Sequence, residues 1–205
     1  SDTHRAAIAQ GATHYAELAK SYLARGHARA FAPRTSDTGI TPGGPGPMTY
    51  AEWGGLLATF AESPEWIDER IAGVSAARLA QRPGPERWSA LEVLAHLRDT
   101  DRDVFLPRLE VLLTQSQPVF TPADLTSSAR VTGYAGADAA AVLSEWRMLR
   151  KQFVTRLAPL GRDDWARVAL HPSRGSYPLG DMMREWDEHD RSHRRQLALA
   201  LEQTP

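Results

Sequence analysis

Two histidines that lie four residues apart, His189 and His193, are the side chains in this sequence that most directly indicate chemistry. At about 100° per residue they lie about 40° apart on a helix, so both imidazoles project from one face, one turn apart. This H-x-x-x-H spacing lets two ring nitrogens bind one cation. Their side of the predicted helix also carries apolar residues, namely Met182, Trp186, Leu197 and Ala200. Because unpaired buried imidazoles are costly, we expect polar partners or a metal there.

A third histidine, His96, lies in an earlier helical stretch, one turn after Glu92 and at the edge of an apolar arc. Alone, a histidine in such a place is more often structural than a ligand. Together with His189 and His193 it completes a three-histidine set, and three neutral imidazoles with open coordination positions are typical of a catalytic metal site that carries water. No role is assigned to the remaining histidines, which are His4, His14, His27 and His171.

The composition narrows the chemistry further. The 205 residues include no cysteine, which excludes disulfides, thiolate metal ligands and a cysteine nucleophile. A metal would therefore be held by histidine, carboxylate or water. The formal net charge of -1 argues against a nucleic-acid partner bound through a basic surface. The sequence has no apolar run long enough for a membrane span and no apolar signal core at its start, so we expect a cytoplasmic protein without a membrane partner.

Helical periodicity places these residues on a bundle. Four helical segments are predicted at about 50–74, 89–112, 137–157 and 179–201, each with one apolar face. Ser89 and Glu92 form a capping-box pattern at the start of the second segment. Pro64 predicts a kink or a break in the first segment, and Pro107 a bend in the second. No stretch alternates for long enough to require a strand, so the predicted fold is an all-α four-helix bundle.

Three regions are predicted along the chain. Residues 1–31 form an extra N-terminal amphipathic helix, residues 32–47 a Pro/Gly-rich linker, and residues 48–205 the bundle. The loop at 114–135 is long for a bundle, and such loops often serve a site or a contact.

Two stretches together resemble a known family. Arg87-Trp-Ser-Ala-Leu-Glu-Val-Leu-Ala-His96-Leu and, some 90 residues later, Glu188-His189-Asp190-Arg-Ser-His193 are similar to motifs of the DinB-like (YfiT-like) superfamily. The resemblance covers about residues 50–203. It implies a four-helix bundle that binds a divalent metal through His96, His189 and His193. Imidazole ligands select only weakly among metals, so nickel, zinc, iron and manganese all remain open.

The resemblance also implies a range of activities. Related proteins include thiol S-transferases that use bacillithiol, mycothiol or glutathione, and hydrolase-like members. In both cases the metal would lower the pKa of a bound thiol or water. Since this chain has no cysteine, the sulfur in a thiol reaction would arrive on a small molecule. The family often forms dimers, so a homodimer is expected.

Two readings without catalysis stay open beside the enzyme. One is a dimeric stress-response or binding module whose metal is structural or absent. The other is a regulatory module in which the N-terminal helix makes the contact.

Several residues near the three histidines have both a functional and an ordinary interpretation. The carboxylates Glu92, Asp99, Asp103 and Glu185 are candidates to orient the imidazoles, or are helix-surface charges. Trp186 either walls a pocket or belongs to the core. The basic group at the end of the last helix is a solvated face or a site for a carboxylate-bearing thiol; it consists of Arg191, Arg194 and Arg195.

Overall fold

The protein is described by a computed structural model that covers residues 46–116, 118–120, 133–171 and 175–203. The elements in chain order are α1 (Tyr50–Ile71), α2 (Ala76–Ala80), α3 (Ala90–Thr100), a π-helical turn (Asp101–Phe105), α4 (Leu106–Thr114), α5 (Ala139–Leu157), α6 (Arg162–Trp165), β1 (Val168–His171), β2 (Gly175–Pro178) and α7 (Leu179–Gln203). Helices α1 and α3 each pack against both α5 and α7. The predicted four-helix bundle is therefore confirmed.

Some predictions fall on residues outside the described part of the chain. These are the N-terminal helix at 1–31, nearly all of the linker at 32–47, and most of the loop at 114–135. Within the described residues, no helix is long and apolar enough to cross a membrane.

Side-chain caps fix where the bundle helices begin. Thr49 accepts a hydrogen bond from the Glu52 amide at 3.1 Å at the start of α1. At the start of α3 the predicted capping box is present, because Ser89 accepts from the Glu92 amide while Glu92 accepts from the Ser89 amide. Each cap satisfies amide groups that the first helical turn leaves unpaired.

The prolines behave differently from one another. Pro64 lies inside α1, which nevertheless runs from Tyr50 to Ile71 as one helix, so the chain does not break there. Pro107 lies in the first turn of α4, directly after the π-helical turn. In that turn the Leu106 amide donates to the Asp101 carbonyl, five residues back. Proline has no N–H to continue the helical hydrogen bonds, and the wider turn accommodates that interruption.

A short antiparallel hairpin, β1 with β2, was not predicted from the sequence. Each strand has four residues and buries only one of them, Ala169 in β1 and Tyr177 in β2. Four residues are too few for a period-two pattern to stand out in the sequence. The hairpin lies between α6 and α7 in the chain.

A polar layer divides the apolar core of the bundle. One buried cluster includes Phe60, Phe153 and Trp186, and a second includes Ile67 and Trp146. On every bundle helix a polar residue lies between members of the two clusters; these residues are Ser63 on α1, Asp101 in the π-helical turn, Arg150 on α5 and Asp190 on α7. The layer therefore places charged groups at the centre of the bundle.

Replacing Glu92 by glutamine is expected to make the free energy of unfolding less dependent on pH in the acidic range. Burial alone would raise the pKa of Glu92, but hydrogen bonds from Arg82 and the Ser89 amide outweigh it and hold the pKa below its usual 4.5. A lowered carboxyl pKa gives stability that is complete above the unfolded-state pKa and is lost as pH falls through the folded-state pKa. Because Arg82 is partly exposed, the negative charge of Glu92 contributes only about 1 kcal/mol to the free energy of unfolding at pH 7.

Urea unfolding of wild type and Glu92→Gln at pH 7, 5.5, 4.5 and 3.5 measures this effect, and glutamine keeps the capping geometry. The difference in unfolding free energy should be constant at the two higher pH values and shrink below about 4.5. A difference of the same size at all four pH values would contradict the prediction.

Candidate metal site

The structure brings the three predicted histidines together. His96 projects from α3, and His189 and His193 project from successive turns of α7. One ring nitrogen from each lies within 4.8 Å of those of the other two. The Nε2 atoms of His96 and His189 are 3.3 Å apart.

This spacing fits a metal ion. Two nitrogens that are each about 2.1 Å from a tetrahedral zinc lie about 3.4 Å apart, close to the separation of the two Nε2 atoms. Across the residues that the structure describes, no other group of three histidine or acidic side chains has such spacing. The three histidines can therefore hold a divalent cation, and their assignment as ligands stays a prediction.

The surroundings of the three imidazoles are aromatic and only partly open. His96 is 5% exposed, whereas the His189 side chain is 23% exposed, so solvent reaches the cluster from the α7 side. The Trp88 ring lies 5.1 Å from that of His96, and the Phe105 ring 5.6 Å from that of His189. Apolar rings beside the imidazoles lower the local polarity, which strengthens electrostatic interactions there.

His193 is held in the form that can bind a metal. Burial, together with the neighbouring His189, lowers the pKa of His193 to about 4, so its imidazole is neutral at pH 7. Its Nδ1 donates to Gln196 Oε1 at 2.8 Å. Because Nδ1 carries the proton, the lone pair is on Nε2, on the opposite side of the ring from the glutamine.

Replacing Gln196 by leucine should weaken metal binding about 10-fold, since outer-shell partners of ligating histidines usually contribute that much. Gln203→Leu is the matched control, because it removes the same amide from the same helix and Gln203 bonds to Arg87 instead. Titration with zinc against a chromogenic chelator gives both affinities. Equal affinities for the two variants would show that Gln196 does not orient His193.

The carboxylates proposed to orient the imidazoles have partners of other kinds. Glu92 bonds to Arg82, and Asp99 pairs with Arg98 and Arg102. Asp103 also pairs with Arg102, and Glu185 accepts from the Tyr177 hydroxyl. These contacts support their interpretation as structural charges.

The other candidate residues lie in the core, in the hairpin or in ion pairs. Trp186 is 1% exposed and packs against Phe153 with ring centroids 4.1 Å apart, which supports its role in the core. His171 ends β1 and packs against the Phe120 and Tyr177 rings, within the hairpin. Of the basic group, Arg191 pairs with Asp187, and Arg195 with Glu188. His4, His14 and His27 lie outside the described residues.

The polar residues behind the histidines were not predicted from the sequence. Arg150 bonds to both Asp101 and Asp190, and Asp190 directly follows His189. A signal was present, because Arg150 occupies the apolar stripe of α5, between Trp146 and Phe153 at helical spacing. A charged residue in such a stripe predicts a buried partner of opposite charge.

The fold and the site define a helical-bundle protein with a candidate three-histidine site for one divalent cation. The family model described as the DinB superfamily matches residues 59–197, and the chain belongs to this family. Two individual proteins are similar to this chain, one in sequence and one in fold. A protein of Oceanobacillus iheyensis named "putative metal-dependent hydrolase" is 27% identical over 106 residues, which cover 52% of this chain and 60% of that protein's own length.

A solved structure supports the same fold. YfiT from Bacillus subtilis, described as "a probable metal-dependent hydrolase with an unusual four-helix bundle topology", superposes with a TM-score of 0.67. The match covers 84% of this chain and 92% of YfiT at 17% sequence identity. At that identity the likeness establishes the fold, and activity has to be argued from the site.

Proposed function

We propose that this protein is a metal-dependent hydrolase that acts on a small molecule. The observation that carries the proposal is the convergence of His96, His189 and His193 on one point at a partly exposed position in the bundle. The names of the Oceanobacillus and Bacillus proteins favour the same reaction class.

The chemistry follows from the donor set. His96, His189 and His193 would hold a divalent cation as neutral imidazoles, and such a cation would lower the pKa of a bound water towards about 7 and so supply a nucleophile at neutral pH. The chain's own residues prepare for this. Burial keeps His193 neutral, Gln196 accepts a hydrogen bond from its ring, and the Trp88 and Phe105 rings lie beside the imidazoles.

The proposal is tested with protein purified without a His tag, stripped by a chelator and reloaded separately with zinc, nickel, iron or manganese. Each form is screened against chromogenic esters, amides and phosphoesters without added thiol. We expect metal-dependent turnover that His193→Ala abolishes and His171→Ala retains, since His171 lies in the hairpin.

Parallel assays contain glutathione, bacillithiol or mycothiol with a model electrophile, and measure the loss of free thiol. Metal-dependent consumption of thiol without hydrolysis would replace the hydrolase by a thiol S-transferase. Metal binding without turnover in either set of assays would favour the non-catalytic binding module.

A further inference from the structure

Arg150 is a fully buried cation that holds two carboxylates. It is 1% exposed, and its Nε and Nη2 donate to Asp101 at 2.6 and 3.1 Å. Its Nη2 also donates to Asp190 Oδ1 at 2.7 Å, and its Nη1 donates to Asp190 Oδ2. The two carboxylates raise the pKa of Arg150, although burial opposes this, so the guanidinium stays charged.

Stability alone is a weak explanation for such a group. Burying charged groups costs several kcal/mol per ion, and apolar residues of similar volume often stabilise a core as well or better. The group pairs one guanidinium with two carboxyl groups, and burial raises the pKa of one of them, Asp101, to about 7.

Asp190 connects Arg150 to the candidate metal site. Its Oδ1, the atom that Arg150 holds, lies 4.0 Å from Nδ1 of His189. That Nδ1 is buried and makes no hydrogen bond within the described part of the chain. Histidines that bind metals usually donate this second N–H to a carboxylate, a carbonyl or a water. Asp190 is placed to be that acceptor after a small shift or through one water.

Asp101 connects Arg150 to the other ligand-bearing segment. It lies five residues after His96 and begins the π-helical turn. The same turn carries Phe105, whose ring contacts that of His189 edge to face. Arg150, on α5, therefore bonds at once to the residue five positions after His96 and to the residue directly after His189.

We propose that Arg150 is a positioning residue of the metal site: by holding Asp101 and Asp190, it sets the separation of His96 from His189 and presents Asp190 to His189 Nδ1. The inference rests on the proposed metal site and is independent of which reaction the metal supports.

Arg150→Lys and Asp101→Asn test the proposal by metal binding. Lysine keeps the charge but lacks the planar fork that bonds to two carboxylates, and asparagine keeps the shape but replaces one of the two oxygens that accept from Arg150. Arg147→Lys is the matched control on the same helix, because Arg147 pairs with Asp68 outside the polar layer. The readouts are zinc affinity, the visible spectrum of the cobalt form, and unfolding of the metal-free protein.

We expect both test variants to bind zinc about 10- to 100-fold more weakly and to give an altered cobalt spectrum, with Arg147→Lys unchanged. Folded test variants with wild-type affinity and spectrum would overturn the proposal. Wild-type protein that binds zinc but hydrolyses nothing would refute the hydrolase and leave this inference intact. Wild-type protein that binds no metal would refute both.

A measurement on wild-type protein covers the case in which the variants do not fold. The side-chain ¹⁵N resonances of Arg150 should shift when zinc is added, because Asp190 moves towards His189, whereas those of Arg147 should not. If the Arg150 resonances do not shift on saturation with zinc, the proposal is wrong.

Discussion

Replacing His193 by alanine should remove the bound metal. In the proposed site His193 would supply one of three donor atoms, and structural zinc sites with four ligands bind with about 10–16 kcal/mol, or roughly 3 kcal/mol per ligand. Losing that much weakens binding about 100-fold or more. Elemental analysis of untagged protein should therefore find about one divalent metal per chain in wild type and only traces in His193→Ala.

The control for this experiment is His171→Ala, which removes an imidazole that packs in the hairpin. It should keep the wild-type metal content. If wild type and His193→Ala contain the same trace of metal, the three histidines are not a metal site, and the hydrolase loses its basis.

His193→Ala should also abolish the effect of added zinc on the melting temperature. A ligand that binds only the folded state stabilises it by about 2.7 kcal/mol at 100 times its dissociation constant. Added zinc should therefore raise the melting temperature of the metal-free wild type, but not that of His193→Ala at the same concentration. A similar shift in both would indicate that zinc binds elsewhere.

The three histidines could be predicted because their signals are local. His189 and His193 share one face of a helix by spacing alone, and the capping box at Ser89 fixes where the helix of His96 begins. Helical periodicity then gives which face each helix buries. The bundle and the inward positions of the three imidazoles follow from these few rules.

The polar layer could not be predicted in the same way, because its bonds join residues far apart in sequence. Arg150 meets Asp101 across 49 residues and Asp190 across 40. Periodicity places each charge on a buried face without saying which partner it meets. The π-helical turn could not be predicted either. Pro107 predicts that the helix is disturbed, but it does not predict that the disturbance is a π-helical turn.

Trp186→Ala should cause a large loss of stability through lost packing. The side chain is 1% exposed, and its ring lies 4.1 Å from that of Phe153 and 6.2 Å from that of Phe60. Truncating a buried tryptophan to alanine costs about 3–5 kcal/mol through lost burial and the cavity left behind. Since domains are stable by about 5–15 kcal/mol, this removes about a fifth or more of the total.

Two further variants show whether the loss comes from packing. Trp186→Phe should lose much less, because a second aromatic ring fills most of the space and the indole N–H makes no hydrogen bond in the described structure. Met148→Ala should stay within about 0.5 kcal/mol of wild type, since Met148 is 60% exposed. Urea unfolding of the metal-free proteins gives all three values, and a loss below 1 kcal/mol for Trp186→Ala would contradict the packing argument.

The effect of Trp186→Ala should extend to metal binding. The Phe105 ring packs against both Trp186 and His189, so a cavity at position 186 lets Phe105 move away from the imidazole. We therefore expect weaker zinc binding in Trp186→Ala than in Trp186→Phe, measured where both proteins are fully folded. Equal zinc affinities would mean that the core stabilises the bundle without holding His189 in place.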